Sequence, residues 1–83
     1  MTNIYHPPIK HSVEIAGHKT SISLEPIFWD LLNAHADDQA IPVNALIAQI
    51  DSQRIIAETP PGLASAIRVW LLAQFLAPDA PDR

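Results

Sequence analysis

The segment Lys19-Thr20-Ser21-Ile22-Ser23-Leu24 alternates polar and apolar residues as a half-buried strand does. Glu25-Pro26 then carries it straight into the helical pattern Ile27-Phe28-Trp29-Asp30-Leu31-Leu32. Nothing downstream reads as a strand. A strand that stands alone leaves two rows of backbone N–H and C=O groups unpaired, and helices cannot satisfy them. The missing partner must come from residues just upstream or from a second copy of the chain. Upstream, Val13 and Ile15 alternate within residues 11–15, and Ala16-Gly17 supplies a break before residues 18–24, so a second strand there is one of the two solutions.

The rest of the chain reads as helices between prolines. Residues 1–10 include Pro7-Pro8 and are expected to form a flexible arm, because proline withholds backbone donors. Pro26 suits the first position of a helix that runs to about Asp37, with Phe28, Leu31, Leu32 and His35 on one face and Trp29 beside that stripe, assigned to an interface. After a turn over residues 38–41, Pro42 opens a second helix to about Arg54, whose inner face is Val43, Leu46, Ile47 and Ile50. Thr59-Pro60-Pro61-Gly62 interrupts, and a third helix over residues 63–76 repeats Leu63, Ile67, Trp70, Leu71 and Phe75 at helical spacing. Residues 77–83, with Pro78 and Pro81, read as a disordered tail, which leaves one domain over residues 11–76.

At 83 residues with 48% apolar content, the ordered part is near the size at which one core is marginal and association supplies the remainder. The expected assembly is an obligate dimer or something larger. There is no cysteine, hence no disulfide framework and no thiolate metal chemistry. No apolar run has the length of a membrane span and no signal-peptide layout opens the chain, so the cytoplasm is the default address. The net charge of −4 argues against indiscriminate nucleic-acid binding, but the charge is uneven. Residues 1–24 carry Lys10 and Lys19 against Glu14, with three histidines, while residues 25–83 carry three basic side chains against eight acidic ones. The mildly positive end coincides with the strand.

The order of strand, helix, helix resembles the ribbon-helix-helix superfamily of repressors, and the resemblance has a continuous core. It lies in Ser12-Val13-Glu14-Ile15-Ala16-Gly17-His18-Lys19-Thr20-Ser21-Ile22-Ser23-Leu24-Glu25 with Phe28-Trp29, then Val43-Asn44-Ala45-Leu46-Ile47 with Ile50-Asp51, then Leu63-Ala64-Ser65-Ala66-Ile67-Arg68. The chain is similar to a small group whose members read Ser-Val-x-Ile-Ala-Gly-His, a basic residue, Thr-Ser, a β-branched residue, Ser-Leu-Glu and Phe-Trp, followed by two helices. The implied fold is mainly α with a short β-ribbon: ribbon-helix-helix plus a third, C-terminal helix, in an intertwined homodimer.

The implied function is a dimeric, sequence-specific regulator of transcription that inserts its ribbon into the major groove of double-stranded DNA. With Thr20, Ile22 and Leu24 facing the helices, Lys19, Ser21 and Ser23 face outward and become the base-reading residues; the plainer alternative is the solvated face of a strand. The resemblance also implies that the second helix anchors a phosphate through the backbone N–H groups of Val43 and Asn44. Here the chain departs from the pattern, with Ala40 and Pro42 where relatives usually carry Gly and Ser.

A four-stranded sheet in the dimer spans roughly 14 Å between outer backbones, against a groove about 12 Å wide. The DNA-bound form is therefore expected to pair only residues 19–24 between protomers, with residues 11–15 displaced along the phosphates.

Other chemistry is thin. The four histidines do not fall at metal-ligand spacing with any carboxylate, and no cofactor motif appears. His35 is expected at the edge of the core with a hydrogen bond. Ser21 and Ser23 lie near His18 without a nucleophile elbow or an oxyanion donor, so catalysis is not expected. The competing class is a protein-interaction module that uses Trp70, Phe75 or the proline-bearing arm to hold a partner, as an antitoxin holds its toxin.

Overall fold

The computed structural model of the chain describes residues 4–76. The expected tail over residues 77–83 lies outside the described residues. The elements are β1 (Ile9–Ile15), β2 (His18–Leu24), α1 (Pro26–Asp38), α2 (Val43–Ile55) and α3 (Leu63–Leu76).

The partner of the alternating strand is the segment just upstream. β1 and β2 form a two-stranded antiparallel hairpin in register from Ile9 opposite Leu24 to Ile15 opposite His18. Ala16 and Gly17 connect them with φ of 50° and 83°, the two positive values that a type I′ turn requires and that match the twist of the flanking strands. β1 begins at Ile9, two residues before the boundary expected from sequence, so the irregular N-terminal stretch among the described residues is 4–8.

A two-residue connection makes Ile15 and His18 the hydrogen-bonded closing pair. The next pair, Glu14 and Lys19, is then of the non-hydrogen-bonded kind, in which side chains stand closer.

The hairpin lies on the helices by one face. Val13, Ile22 and Leu24 are buried, with Leu24 fully so. Thr20 shares that parity and was expected to face the helices, but it is exposed, lining an open concavity with Ile15, Asp51, Arg54 and Leu63. Behind the ribbon, Leu32, Leu46, Ile47, Ile50, Ile67 and Leu71 close a single core drawn from all three helices. That core is drawn from one chain, and β1 pairs one edge of β2, leaving the other edge of β2 unpaired among the described residues.

Trp29 is the largest departure from the helical-wheel reading. It is a core residue, 8% exposed, and not part of an outer interface. Its Nε1 donates to the backbone oxygen of Ile9 at 3.0 Å, and the His11 ring meets it edge to face at 4.6 Å. The indole clamps β1 to α1. His35, half-buried as expected, packs its ring edge to face on Trp70 at 5.3 Å, and this contact stands where a hydrogen bond was expected. Phe75, one of the helically spaced apolar residues of α3, is 61% exposed.

The helix ends follow local chemistry. α1 closes with Ala40 N–H donating to the Asp37 oxygen and Ile41 N–H to the Ala36 oxygen, both at 3.0 Å, which is a Schellman motif. It puts Ala40 in the left-handed region at φ 57°, where glycine is the unstrained choice. Pro42 is the residue before α2, extended at φ −65° and ψ 151°, and Val43 takes the first helical position that the proline was expected to fill.

Arg54 donates through Nε and Nη2 to Asp51 Oδ1 at 2.9 and 2.7 Å, and through Nη1 to the Pro61 oxygen at 3.1 Å, tying the α2–α3 loop to the end of α2. Among the described residues, no helix is long and apolar enough to cross a membrane.

Candidate nucleic-acid interface

The ribbon face turned away from the helices is a ladder of three cross-strand rows. Lys10 stands opposite Ser23, Ser12 opposite Ser21 and Glu14 opposite Lys19. Five of these six residues are exposed and Ser23 is half-buried. The alternation that buries Val13, Ile22 and Leu24 on one side dictates this outer set on the other. It holds two ammonium groups, one carboxylate and three hydroxyls, a mixture of donors and acceptors with a single net positive charge.

Lys19, Ser21 and Ser23 thus share one surface with Lys10, Ser12 and Glu14, which the sequence reading did not place there. Their signal was present. Once a two-residue turn is accepted at Ala16-Gly17, the register assigns every partner by simple pairing. Glu14 and Lys19 are directly opposed, yet neither joins the two ion pairs that the described residues contain, Arg54 with Asp51 and Arg68 with Glu25. Both head groups are available to a ligand.

The start of α2 lies against β1 and not at a distance from the ribbon. Asn44 lines a shallow concavity of about 200 Å³ with Ser12, Val13, Glu14 and Lys19. On its other side a second one, about 250 Å³, is bounded by His11, Trp29, Asn33, Val43 and Asn44. Lys19 and Asn44, taken from two separate parts of the sequence, therefore meet at one place. Ser21 and Ser23 do not line these concavities and lie further along the ribbon.

The first amides of α2 to be satisfied within the helix are those of Ala45 and Leu46, which donate to the Pro42 oxygen at 3.0 and 3.2 Å. The N–H groups of Val43 and Asn44 carry no hydrogen bond among the described residues, and no side chain caps them. They are the helix-end donors that attract an anion. Pro42 itself brings neither an N–H nor a hydroxyl.

Glu25, at the junction of β2 and α1, belongs to the scaffold. Hydrogen bonding from its own backbone amide and then from the Arg68 guanidinium holds its carboxyl below the usual glutamate range. Arg68 donates to Glu25 Oε1 through Nε at 3.0 Å and Nη2 at 2.8 Å, and lies over the Phe28 ring at 5.6 Å. This pair joins α3 to the point where the ribbon enters α1. Among the described residues, no three His, Asp or Glu side chains gather as a metal site.

No curated protein and no solved structure matches the chain significantly. The sequence profile of the ribbon-helix-helix domain matches residues 8–75, which runs from the residue before β1 almost to the end of α3. With an antiparallel ribbon feeding two helices and a third helix closing the core, the chain belongs to the ribbon-helix-helix domain family.

Proposed function

We propose that this chain is a dimeric, sequence-specific DNA-binding regulator of transcription that lays its own hairpin in the major groove. Ribbon-helix-helix domains serve DNA binding or antitoxin-type regulation. The observation that carries the first of these here is the outer ribbon face. A two-stranded ribbon is an element the major groove admits, and its strands lie only about 4.8 Å apart. Because β1 pairs with β2 in the same chain, a two-stranded ribbon is available within each protomer, and pairing of residues 19–24 between protomers is the other form that the same groove-filling unit can take.

Within that reading each group has a chemical task. Lys19 and Lys10 donate to guanine O6 and N7, Ser21, Ser23 and Ser12 donate or accept, and Glu14 accepts from the exocyclic amine of cytosine. The free amides of Val43 and Asn44 hold a phosphate beside the groove, which fixes register without reading sequence. Glu14 also repels phosphates, so binding rests on a few well-placed contacts and not on a broad positive field.

The test is selection of duplexes from a random pool, followed by mobility shifts across a salt series. Lys19→Ala is expected to weaken binding and relax base preference at one position. Ser21→Asp is expected to abolish binding while leaving the fold intact, since the side chain points away from the core. A Ser21→Asp protein that binds the selected duplex as well as wild type does would remove the ribbon as the reading surface. The partner-binding alternative draws on the acidic balance of residues 25–83 and the missing hydroxyl at Pro42; it takes over if no duplex is enriched.

A further inference from the structure

We infer that Glu14 and Lys19 act as one unit that reads a single G·C base pair in one orientation, and that Glu14 is the residue that makes the ribbon selective. This rests on the DNA-binding reading above and names part of the sequence that is read. The two residues form the last outward row before the turn, directly opposed across the hairpin and both exposed. In a non-hydrogen-bonded antiparallel pair their Cβ atoms stand about 4.5–5.5 Å apart. Neither makes a hydrogen bond or an ion pair among the described residues, whereas Asp51 with Arg54 and Glu25 with Arg68 are joined.

An ammonium group only donates and a carboxylate only accepts. Side by side, they call for acceptors next to a donor. In the major groove a G·C pair presents guanine N7 and O6 as adjacent acceptors and then the cytosine N4 amine as the donor. Lys19 covers the two acceptors and Glu14 takes the amine. An A·T pair places its donor, adenine N6, between two acceptors, N7 and thymine O4. A carboxylate brought to that amine is repelled from both sides, whereas at cytosine N4 it has an acceptor on one side and a ring C–H on the other. The register puts Lys19 on β2 and Glu14 on β1, so guanine lies under β2 and cytosine under β1, and the reversed pair offers each side chain the wrong partner.

The pair sums to zero charge and adds nothing to the general attraction between cations and phosphates. On any other base pair Glu14 faces an acceptor or a phosphate oxygen, and selectivity comes from that penalty as much as from the correct contact. A net charge of −4 gives the chain no broad positive field to mask one misplaced carboxylate. Ser12, Val13 and Asn44 complete the concavity of about 200 Å³ that the pair lines, and none of them is charged, so no neighbour there competes for either head group. The pair belongs to one hairpin and is the same whether that hairpin acts alone or is joined to a second along β2.

The experiment uses the full chain and the duplex enriched from a random pool, with mobility shifts for wild type, Glu14→Ala and Lys19→Ala. Exchanging the strands of one G·C pair, or replacing it by A·T, is expected to weaken wild type about tenfold or more. Both variants are expected to lose preference at that same base pair, and Glu14→Ala to bind random duplex more tightly than wild type does.

Two modified bases separate the contacts and test wild type itself, so the result stands even where a variant fails to fold. N4-methylcytosine carries a methyl group in place of the groove-side amine proton; it is expected to weaken wild type about tenfold and to leave Glu14→Ala unaffected. 7-Deazaguanine lacks the N7 acceptor and is expected to weaken wild type and to leave Lys19→Ala unaffected. Wild type that tolerates N4-methylcytosine throughout the enriched duplex, a Glu14→Ala protein with wild-type preferences, or losses at different base pairs in the two variants overturns the inference. A β1 that leaves β2 on binding would give the second of these. A pool that enriches no duplex removes the DNA reading and this inference with it, whereas an enriched duplex with any of those three results removes this inference alone.

Discussion

Trp29 is the joint between ribbon and helices, and its removal gives the most demanding test of the fold. The side chain is 8% exposed, donates to the Ile9 oxygen at 3.0 Å and meets the His11 ring at 4.6 Å. Truncating a buried aromatic to alanine costs about 3–5 kcal/mol, the hydrogen bond about 1 kcal/mol and the ring pair about 0.5–1.5 kcal/mol, and these contributions overlap. A chain of this length has roughly 4–12 kcal/mol in total. Trp29→Ala therefore removes a large share of the stability, at least about 3 kcal/mol.

The more discriminating change is Trp29→Phe, which keeps a ring and deletes the donor, for about 1–2 kcal/mol including lost volume. Urea unfolding followed by circular dichroism measures both, and hydrogen exchange locates the effect. In the Phe variant the amides of β1 should exchange faster while those of Leu46, Ile47 and Ile67 keep their protection relative to the new global stability. If Trp29→Phe shifts stability by less than about 0.3 kcal/mol and leaves β1 exchange unchanged, the indole is not what holds the strand.

Three further outcomes follow from local geometry. Ala40→Gly relieves a left-handed alanine in the Schellman motif and should stabilise by about 0.5–1 kcal/mol, read as a raised urea midpoint with an unchanged slope. Ala16→Asn puts a residue tolerant of positive φ at the first position of the type I′ turn and should add several tenths of a kcal/mol, seen as slower exchange at the tip of the ribbon.

The Glu25 carboxyl is held below its ordinary range by its backbone amide and by Arg68. Its contribution is thus complete above the unfolded glutamate value near 4.3 and is lost as pH falls through the lower folded value. Between about pH 5 and pH 3 wild type should lose more stability than Glu25→Gln does, and equal slopes would mean that the pair with Arg68 is not felt by the fold.

The strand that opens into α1 was legible because Ile22 and Leu24 sit at period two and turn to helical spacing after a single Glu-Pro step. Its partner was half legible. Val13 and Ile15 suggested it, but Pro7-Pro8 masked its start, since a proline pair argues against a strand without marking where the strand after it begins. Lys19, Ser21 and Ser23 were assigned to one face by alternation alone, and that shared face is what the hairpin presents.

The meeting of Lys19 with Asn44 was not readable, because it depends on how α2 crosses β1, and neither element's periodicity contains that angle. Trp29 was misplaced for a related reason. A helical wheel shows where apolar residues lie, and neighbours decide which of them is covered. β1 covers Trp29, while Phe75 is 61% exposed among the described residues.

On the proposed DNA-binding reading, the net charge of −4 leaves the chain little non-specific attraction to DNA, so its affinity must come from a few well-placed contacts. A dimer that brings two ribbons to one duplex would raise the effective concentration of the second after the first has docked, which is the condition under which joining two weak, selective contacts matters most.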